Sequence, residues 1–217
     1  MATQAHTPFI PATFAELRDW VRSTARSVNG MLRGGPFPDM WNDATVDVGS
    51  AHVAGANTPT WSAFRSGLYG YAFSASALNE CFIALQIGHD YARGTSLYPL
   101  IQWSANSASA NTVRWGVEYS AAKGHNQGAL PASTTIYIEQ AHAGTAYQLM
   151  TAEASSGDAI DGETLGLEPD SLVLMRVFRD GAHANDTLAA TAFAFRAGLH
   201  YQSSMLGTAQ KAPDFYQ

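Results

Sequence analysis

Three stretches of this chain alternate residue by residue between the two sides of an extended backbone. They cover residues 79–88, 112–120 and 191–201, and in each stretch one side is largely apolar. This period of two is typical of strands that bury one side only, and such strands build antiparallel sheets. The inward side chains predicted from this pattern are Cys81, Ile83, Leu85 and Ile87; Val113, Trp115, Val117 and Tyr119; and Thr191, Phe193, Phe195, Ala197, Leu199 and Tyr201.

Weaker strand signals follow the same spacing through the rest of residues 39–205. Clusters of Gly, Ser, Asn and Asp separate them, and no helical crossover segments lie between them. The sequence therefore predicts a mainly β fold, an antiparallel β-sandwich or jelly roll of about eight strands. The weaker strands are predicted at 45–50, 69–75, 97–104, 134–142 and 171–179.

Residues 1–38 form a predicted N-terminal arm with a helix at about 14–29. Thr13 and Glu16 have the spacing of a capping box, and a Gly/Pro hinge follows at 34–38. An apolar stripe at helical spacing includes Phe14, Leu17, Val21 and Val28. This stripe could pack on its own domain, dock on a partner, or trimerise.

Residues 206–217 are predicted to be a C-terminal tail on the surface or on a neighbour.

Charge and hydropathy narrow the range of partners. The net charge is −6 with no basic run, which is unlike a nucleic-acid-binding surface. No apolar stretch approaches the length that spans a membrane, and the N-terminus does not resemble a signal peptide. We therefore expect synthesis in a cytoplasm, and neither nucleic acid nor membrane as a partner. Charged residues make up only 14%, which fits either a partner-covered surface or a domain with small polar loops.

The ionisable residues do not form a known catalytic or metal-binding motif. The seven histidines lack metal-ligand spacing, and His142 and Glu139 fall on opposite faces of a predicted strand. Cys81 is the only cysteine and falls in an apolar run. We therefore expect no catalytic residue, no cofactor and no metal. A jelly-roll hydrolase, with Glu118 paired to Glu80 or Glu139, or a metal-dependent enzyme is kept as an alternative.

The aromatic residues suggest a second alternative, a carbohydrate-binding module of a receptor-recognition fibre. Exposed Trp rings offer sugars a large, rigid contact surface. Trp61 and Trp103 are the predicted glycan-stacking residues. The competing interpretation places most of these rings in the core or between protomers, because several alternate with aliphatic residues.

Spaced aromatic and turn signatures resemble a family of tailed-bacteriophage virion proteins. They are 41–43 (WND), 94–103 (GTSLYPLIQW), 112–119 (TVRWGVEY), 172–181 (LVLMRVFRDG), 186–187 (DT) and 199–202 (LHYQ). Relatives often carry histidines before the tryptophan of the second signature, whereas this chain has 98–102 (YPLIQ), so no role of those histidines carries over. The family supplies no catalytic residue that can be placed here.

The resemblance implies a structural component of the phage particle, a β-sandwich fixed to the head, neck or tail. The implied partners are copies of itself, in a homo-oligomer expected to be a trimer, and capsid, portal, neck or tail proteins. The implied location is the virion, after synthesis in the bacterial cytoplasm. The helix residues Phe14, Leu17, Val21 and Val28 are the candidate docking residues.

Overall fold

The computed structural model describes residues 13–14, 16–22, 24, 40–204 and 206–216. Within these residues the chain forms ten strands that pair antiparallel in two sheets, so the predicted mainly β, sandwich-type fold is confirmed. The strands are β1 Met40–Asp47, β2 Thr60–Arg65, β3 Leu68–Phe73, β4 Leu78–Gln86, β5 Leu97–Ala105, β6 Thr112–Ala122, β7 Thr134–Ala141, β8 Met150–Glu153, β9 Leu172–Asp180 and β10 Ala192–Ser203. A short 3-10 helix, Val48–Ser50, follows β1.

One sheet has six strands and the other has four. The six-stranded sheet runs β2-β3-β10-β5-β8, and β1 pairs along β10 beyond the segment that pairs with β3. In that pairing Met40 lies opposite Ser203 and Asp47 opposite Arg196. The four-stranded sheet runs β4-β9-β6-β7. The long strand β10 therefore organises the larger sheet, since it contacts three other strands.

The strand count is higher than predicted because β2 and β8 carry no clear alternation. β8 has only four residues, and β2 (TWSAFR) has aromatic side chains on both of its faces. The first strand also begins earlier than predicted, at Met40 rather than at residue 45.

The core lies between the two sheets. Trp103 of the larger sheet meets Trp115 of the smaller one at a ring-centroid distance of 6.0 Å, and Phe73 meets Trp115 at 5.3 Å. Edge-on contacts of this kind stabilise beyond the area that they bury. The faces predicted for 79–88 and 112–120 are the core faces of this sandwich. The predicted inward residues Cys81, Ile83, Leu85, Ile87, Val113, Trp115 and Val117 are buried, and Tyr119 packs against them.

A bulge in β10 divides the third predicted face in two. The register shifts between Ala194 and Arg196. Ala197, Leu199 and Tyr201 therefore face the core as predicted, whereas Phe193 and Phe195 lie on the outer side, where both contact Phe64. An extra residue in one strand reverses the side on which all later residues lie. The prediction of one continuous inward face over 191–201 is therefore wrong.

In the N-terminal arm, residues 14, 16–22 and 24 are helical. The predicted helix end at 25–29, Val28, the hinge at 34–38 and residues 1–12 lie outside the described residues. Within the described part of the chain, no helix combines the length and the apolar character needed to cross a membrane.

The C-terminal segment 206–216 lies against the β-body. Phe215 is buried and packs its ring on His89 and His125, with centroid distances of 5.4 and 5.7 Å. Asp170 lies beside both imidazoles, 2.9 Å from His125 Nε2 and 3.4 Å from His89 Nε2. The hydrogen bond with His125 is the main cause that lowers the pKa of Asp170. This segment therefore closes one end of the sandwich.

Candidate functional site

Trp103, one of the two predicted glycan-stacking residues, lies inside the core. It has no solvent exposure, and its indole Nε1 donates a hydrogen bond to Gln140 Oε1 at 2.7 Å. β5 is largely buried on both of its faces, because Leu100 on the outer side and Ile101 on the core side are both buried, while Tyr98 and Gln102 are partly exposed. A ring without accessible area cannot stack on a sugar, so the prediction for Trp103 is wrong.

Trp61, the other predicted stacking residue, is 52% exposed. Its ring meets Tyr71 edge-on at 5.1 Å, on the core-facing side of strand β2 at the edge of the larger sheet. The stacking role of Trp61 stays a prediction.

The predicted docking residues of the helix are exposed where the structure describes them. Phe14 is 86% exposed, and Leu17 and Val21 are also exposed. The capping box is present: the Glu16 amide donates to Thr13 Oγ1 at 3.2 Å, and the Thr13 amide donates to Glu16 Oε2 at 3.1 Å. These two amides at the helix start are thus satisfied within the helix itself. Docking by this stripe stays a prediction.

A second exposed surface lies on the outer side of the six-stranded sheet, and we call it the Trp41 face. It consists of Trp41, Asp43, Tyr98, Glu153 and His200. Strand alternation places them there, because their strand neighbours Ala44, Leu97, Ala152 and Leu199 pack in the core. The pairing register brings Asp43 opposite His200, and His200 opposite Tyr98. Four strands, β1, β10, β5 and β8, therefore each contribute at least one side chain.

The Trp41 face combines an open aromatic ring with a fixed row of polar groups. Trp41 is 60% exposed and meets Tyr98 edge-on at 5.5 Å. His200 lies between two carboxylates, with Nε2 2.8 Å from Asp43 and Nδ1 2.7 Å from Glu153. Both imidazole nitrogens are thus engaged, so His200 orients the carboxylates instead of offering a free nitrogen. The arrangement suits hydrogen bonding to a bound molecule better than proton abstraction from it.

The carboxylates considered for glycoside cleavage are held by arginines on the outer side of the smaller sheet. Arg176 contacts Glu80 at 2.5 Å and Glu118 at 2.7 Å, and Arg114 contacts Glu139. The pKa of Glu118 is lowered, mainly by the Ser133 hydroxyl and next by Arg176. The pKa of Glu139 is lowered by Asn185 and by Arg114. A general acid needs a raised carboxyl pKa, so both shifts go in the opposite direction.

Cys81 is a core residue of β4. It has no solvent exposure, and burial, followed by the nearby Glu80 charge, raises the pKa of its thiol to about 12. Because the thiolate is the reactive form, we expect Cys81 to stay unmodified by a disulfide reagent such as DTNB in the folded protein. The same reagent should modify one thiol per chain in guanidinium chloride. Rapid release of the chromophore from folded protein would contradict this expectation.

Imidazole and carboxylate groups meet at His200 and again at Asp170. Among the residues that the structure describes, however, no group of three or more His, Cys, Asp and Glu side chains is arranged to hold a metal ion. His142, which the sequence placed near Glu139, is 2% exposed, and its Nδ1 contacts the Ser109 carbonyl at 2.9 Å.

No family model and no curated protein matches this chain. Among solved structures, it is similar to an exo-β-1,3-galactanase from Phanerochaete chrysosporium with galactose, at 12% identity and TM-score 0.40, covering 73% of this chain and 29% of that one. It is also similar to dimeric latent PorU from Porphyromonas gingivalis, at 17% identity and TM-score 0.32, and this match covers 75% of this chain and 13% of that one. A third match is CBM28, a carbohydrate-binding module specific for non-crystalline cellulose, at 10% identity and TM-score 0.29. This match covers 75% of this chain and 86% of that one. The chain thus spans less than a third of the first two proteins, and similarity at this level assigns it no function.

Proposed function

We propose that this protein is a non-enzymatic structural component of a tailed-phage virion, attached at the head, neck or tail. In this proposal the β-sandwich supplies the body of the subunit, and the N-terminal helix joins it to its neighbours in a homotrimer and to the particle. The observation that carries the proposal is the exposed apolar stripe of that helix. The spaced signatures that resemble phage virion proteins support the same assignment.

The stripe has the properties of an assembly element. Phe14, Leu17 and Val21 present apolar area to water, and removing such area from water contributes roughly 25 cal/mol per Å². The internal capping box lets the helix form its first turn without help from another element. An amphipathic helix is stable when its apolar face is buried, and this stripe is exposed in the single chain. The low content of charged residues fits a subunit that is covered by neighbours.

The oligomeric state of two matched double variants tests this role. Leu17→Ser with Val21→Ser places two serines in the apolar stripe. Asp19→Ser with Arg22→Ser places two serines at exposed polar positions of the same helix. In light scattering after size exclusion, we expect a trimer for the wild type and for the polar variant. We expect monomers, or at least a tenfold weaker association, for the stripe variant. A monomeric wild type, or an unchanged stripe variant, would contradict the proposed assembly.

Location on the particle needs a separate measurement. We expect mass spectrometry of purified particles to detect this chain at a copy number divisible by three. We also expect particles to lose the protein when only the stripe variant is available during assembly. Purified particles that lack the chain altogether would overturn the virion assignment.

A further inference from the structure

The geometry points to a second activity of the body: we propose that the Trp41 face binds a neutral polysaccharide. A pyranose ring would stack on Trp41, and its hydroxyl groups would hydrogen-bond to the row formed by Asp43, His200 and Glu153. This surface is distinct from the helix that carries the proposed assembly role, so each proposal can fail alone.

The Trp41 ring is held in place before any ligand arrives. β1 pairs with β10 over its whole length, from Met40 opposite Ser203 to Asp47 opposite Arg196. The edge-on contact with Tyr98, 5.5 Å between centroids, supports one side of the ring, while 60% of the residue remains exposed. A large, rigid, amphipathic surface gives contact area at little entropic cost, which is what the apolar C–H face of a sugar needs.

The polar row beside the ring is also preorganised. His200 holds Asp43 at 2.8 Å and Glu153 at 2.7 Å, which restrains both carboxylates on the outer side of the sheet. A carboxylate has about four lone-pair positions, so each retains capacity to accept bonds from sugar hydroxyls. Gln102 and Gln202, at outer positions of β5 and β10, are partly exposed and add amide donors and acceptors. Together these side chains can both accept hydrogen bonds from the hydroxyl groups of a sugar and donate hydrogen bonds to them.

Charge and size narrow the ligand class. Asp43 and Glu153 share one imidazole between them, and this local excess of negative charge disfavours uronic or sialic acids. From β1 to β8 the face crosses three interstrand steps, about 14 Å, which is longer than one pyranose ring. The surface is open rather than a closed pocket, so it suits an internal segment of a polymer. The predicted ligand is a chain of neutral hexoses.

Affinity electrophoresis of the full-length protein tests the site. The probes are soluble neutral polysaccharides (dextran, galactomannan and mixed-linkage β-glucan) and acidic ones (alginate and polygalacturonate). We expect retardation by at least one neutral polymer and none by the acidic polymers. If no neutral polymer retards the wild type, or only acidic ones do, the proposal is wrong.

Three variants test whether any binding occurs at the Trp41 face. Trp41→Ala should weaken binding at least tenfold. Trp61→Ala tests the competing stacking residue predicted from the sequence, another half-exposed indole at the sheet edge, and it should leave binding within twofold if the ligand lies on the Trp41 face. Asp43→Asn keeps the shape of the polar row and should weaken binding several-fold. Thermal unfolding of each variant checks that the fold is retained. Undiminished binding by Trp41→Ala, or loss only in Trp61→Ala, would place the ligand elsewhere and overturn the assignment.

Discussion

Replacing Arg179 with methionine is expected to lower the free energy of unfolding by about 3–5 kcal/mol, because a buried charge is left without its partner. Arg179 and Asp186 have no side-chain exposure, and their two hydrogen bonds measure 2.9 and 2.7 Å. The guanidinium also donates to the carbonyls of Phe73, Leu188 and Ala190. One side chain thus joins the end of β3, strand β9 and the loop before β10.

Equilibrium unfolding in urea, followed by fluorescence, measures this effect. The matched control is Arg196→Met, which removes an exposed arginine from β10 and should change the unfolding free energy by less than about 0.5 kcal/mol. A loss below about 1 kcal/mol for Arg179→Met would show that the buried pair is not a main determinant of stability.

Replacing Gly198 with alanine is expected to cost about 1–3 kcal/mol and to detach β1 locally. A Cβ at this position would lie 2.1 Å from the Ala44 carbonyl oxygen and 2.7 Å from the Thr45 Cα. Both atoms belong to the backbone of β1, so the strand itself must move. Because Trp41 and Asp43 lie on that strand, neutral-polysaccharide binding should weaken together with the pairing.

Hydrogen exchange distinguishes this local effect from general unfolding. We expect amides of Met40–Asp47 to lose protection in Gly198→Ala, while amides of β6 and β9 keep it. Gly67→Ala is the control, since a Cβ there meets no atom within 4 Å. Unchanged protection of β1 in Gly198→Ala would contradict the predicted displacement.

The sequence pattern predicts the core face of a strand that buries only one of its two sides. It does not predict the core face of a strand that is irregular or buried on both sides. β4 and β6 alternate cleanly, so their core faces could be predicted from the pattern alone. β10 also alternates, but a bulge at Phe195 is not visible in the side-chain pattern. The exposure predicted for Trp103 is wrong because β5 is largely buried on both sides. Alternation along such a strand does not indicate which rings reach solvent.

The Trp41 face could not be predicted because its members are distant in the sequence. Asp43, Glu153 and His200 belong to three strands, and only the pairing order β1-β10-β5-β8 brings them together. Trp41 lies on a strand, β1, whose outer residues are polar as well as aromatic, and this mixture obscures the period of two. The helix was accessible from sequence, because a capping box and its stripe involve residues only three or four positions apart.

The pairing of Met40 with Ser203 determines how the larger sheet responds to a pulling force. Both ends of the β-body's chain emerge at the same end of one strand pair. A force that separates residue 40 from residue 203 therefore acts across the ladder rather than along it. The backbone hydrogen bonds between β1 and β10 would then break one after another, starting at the Met40–Ser203 end, and each step would need only a low force. A force applied at residues 40 and 203 would first remove the strand that carries Trp41 and leave the four-stranded sheet intact.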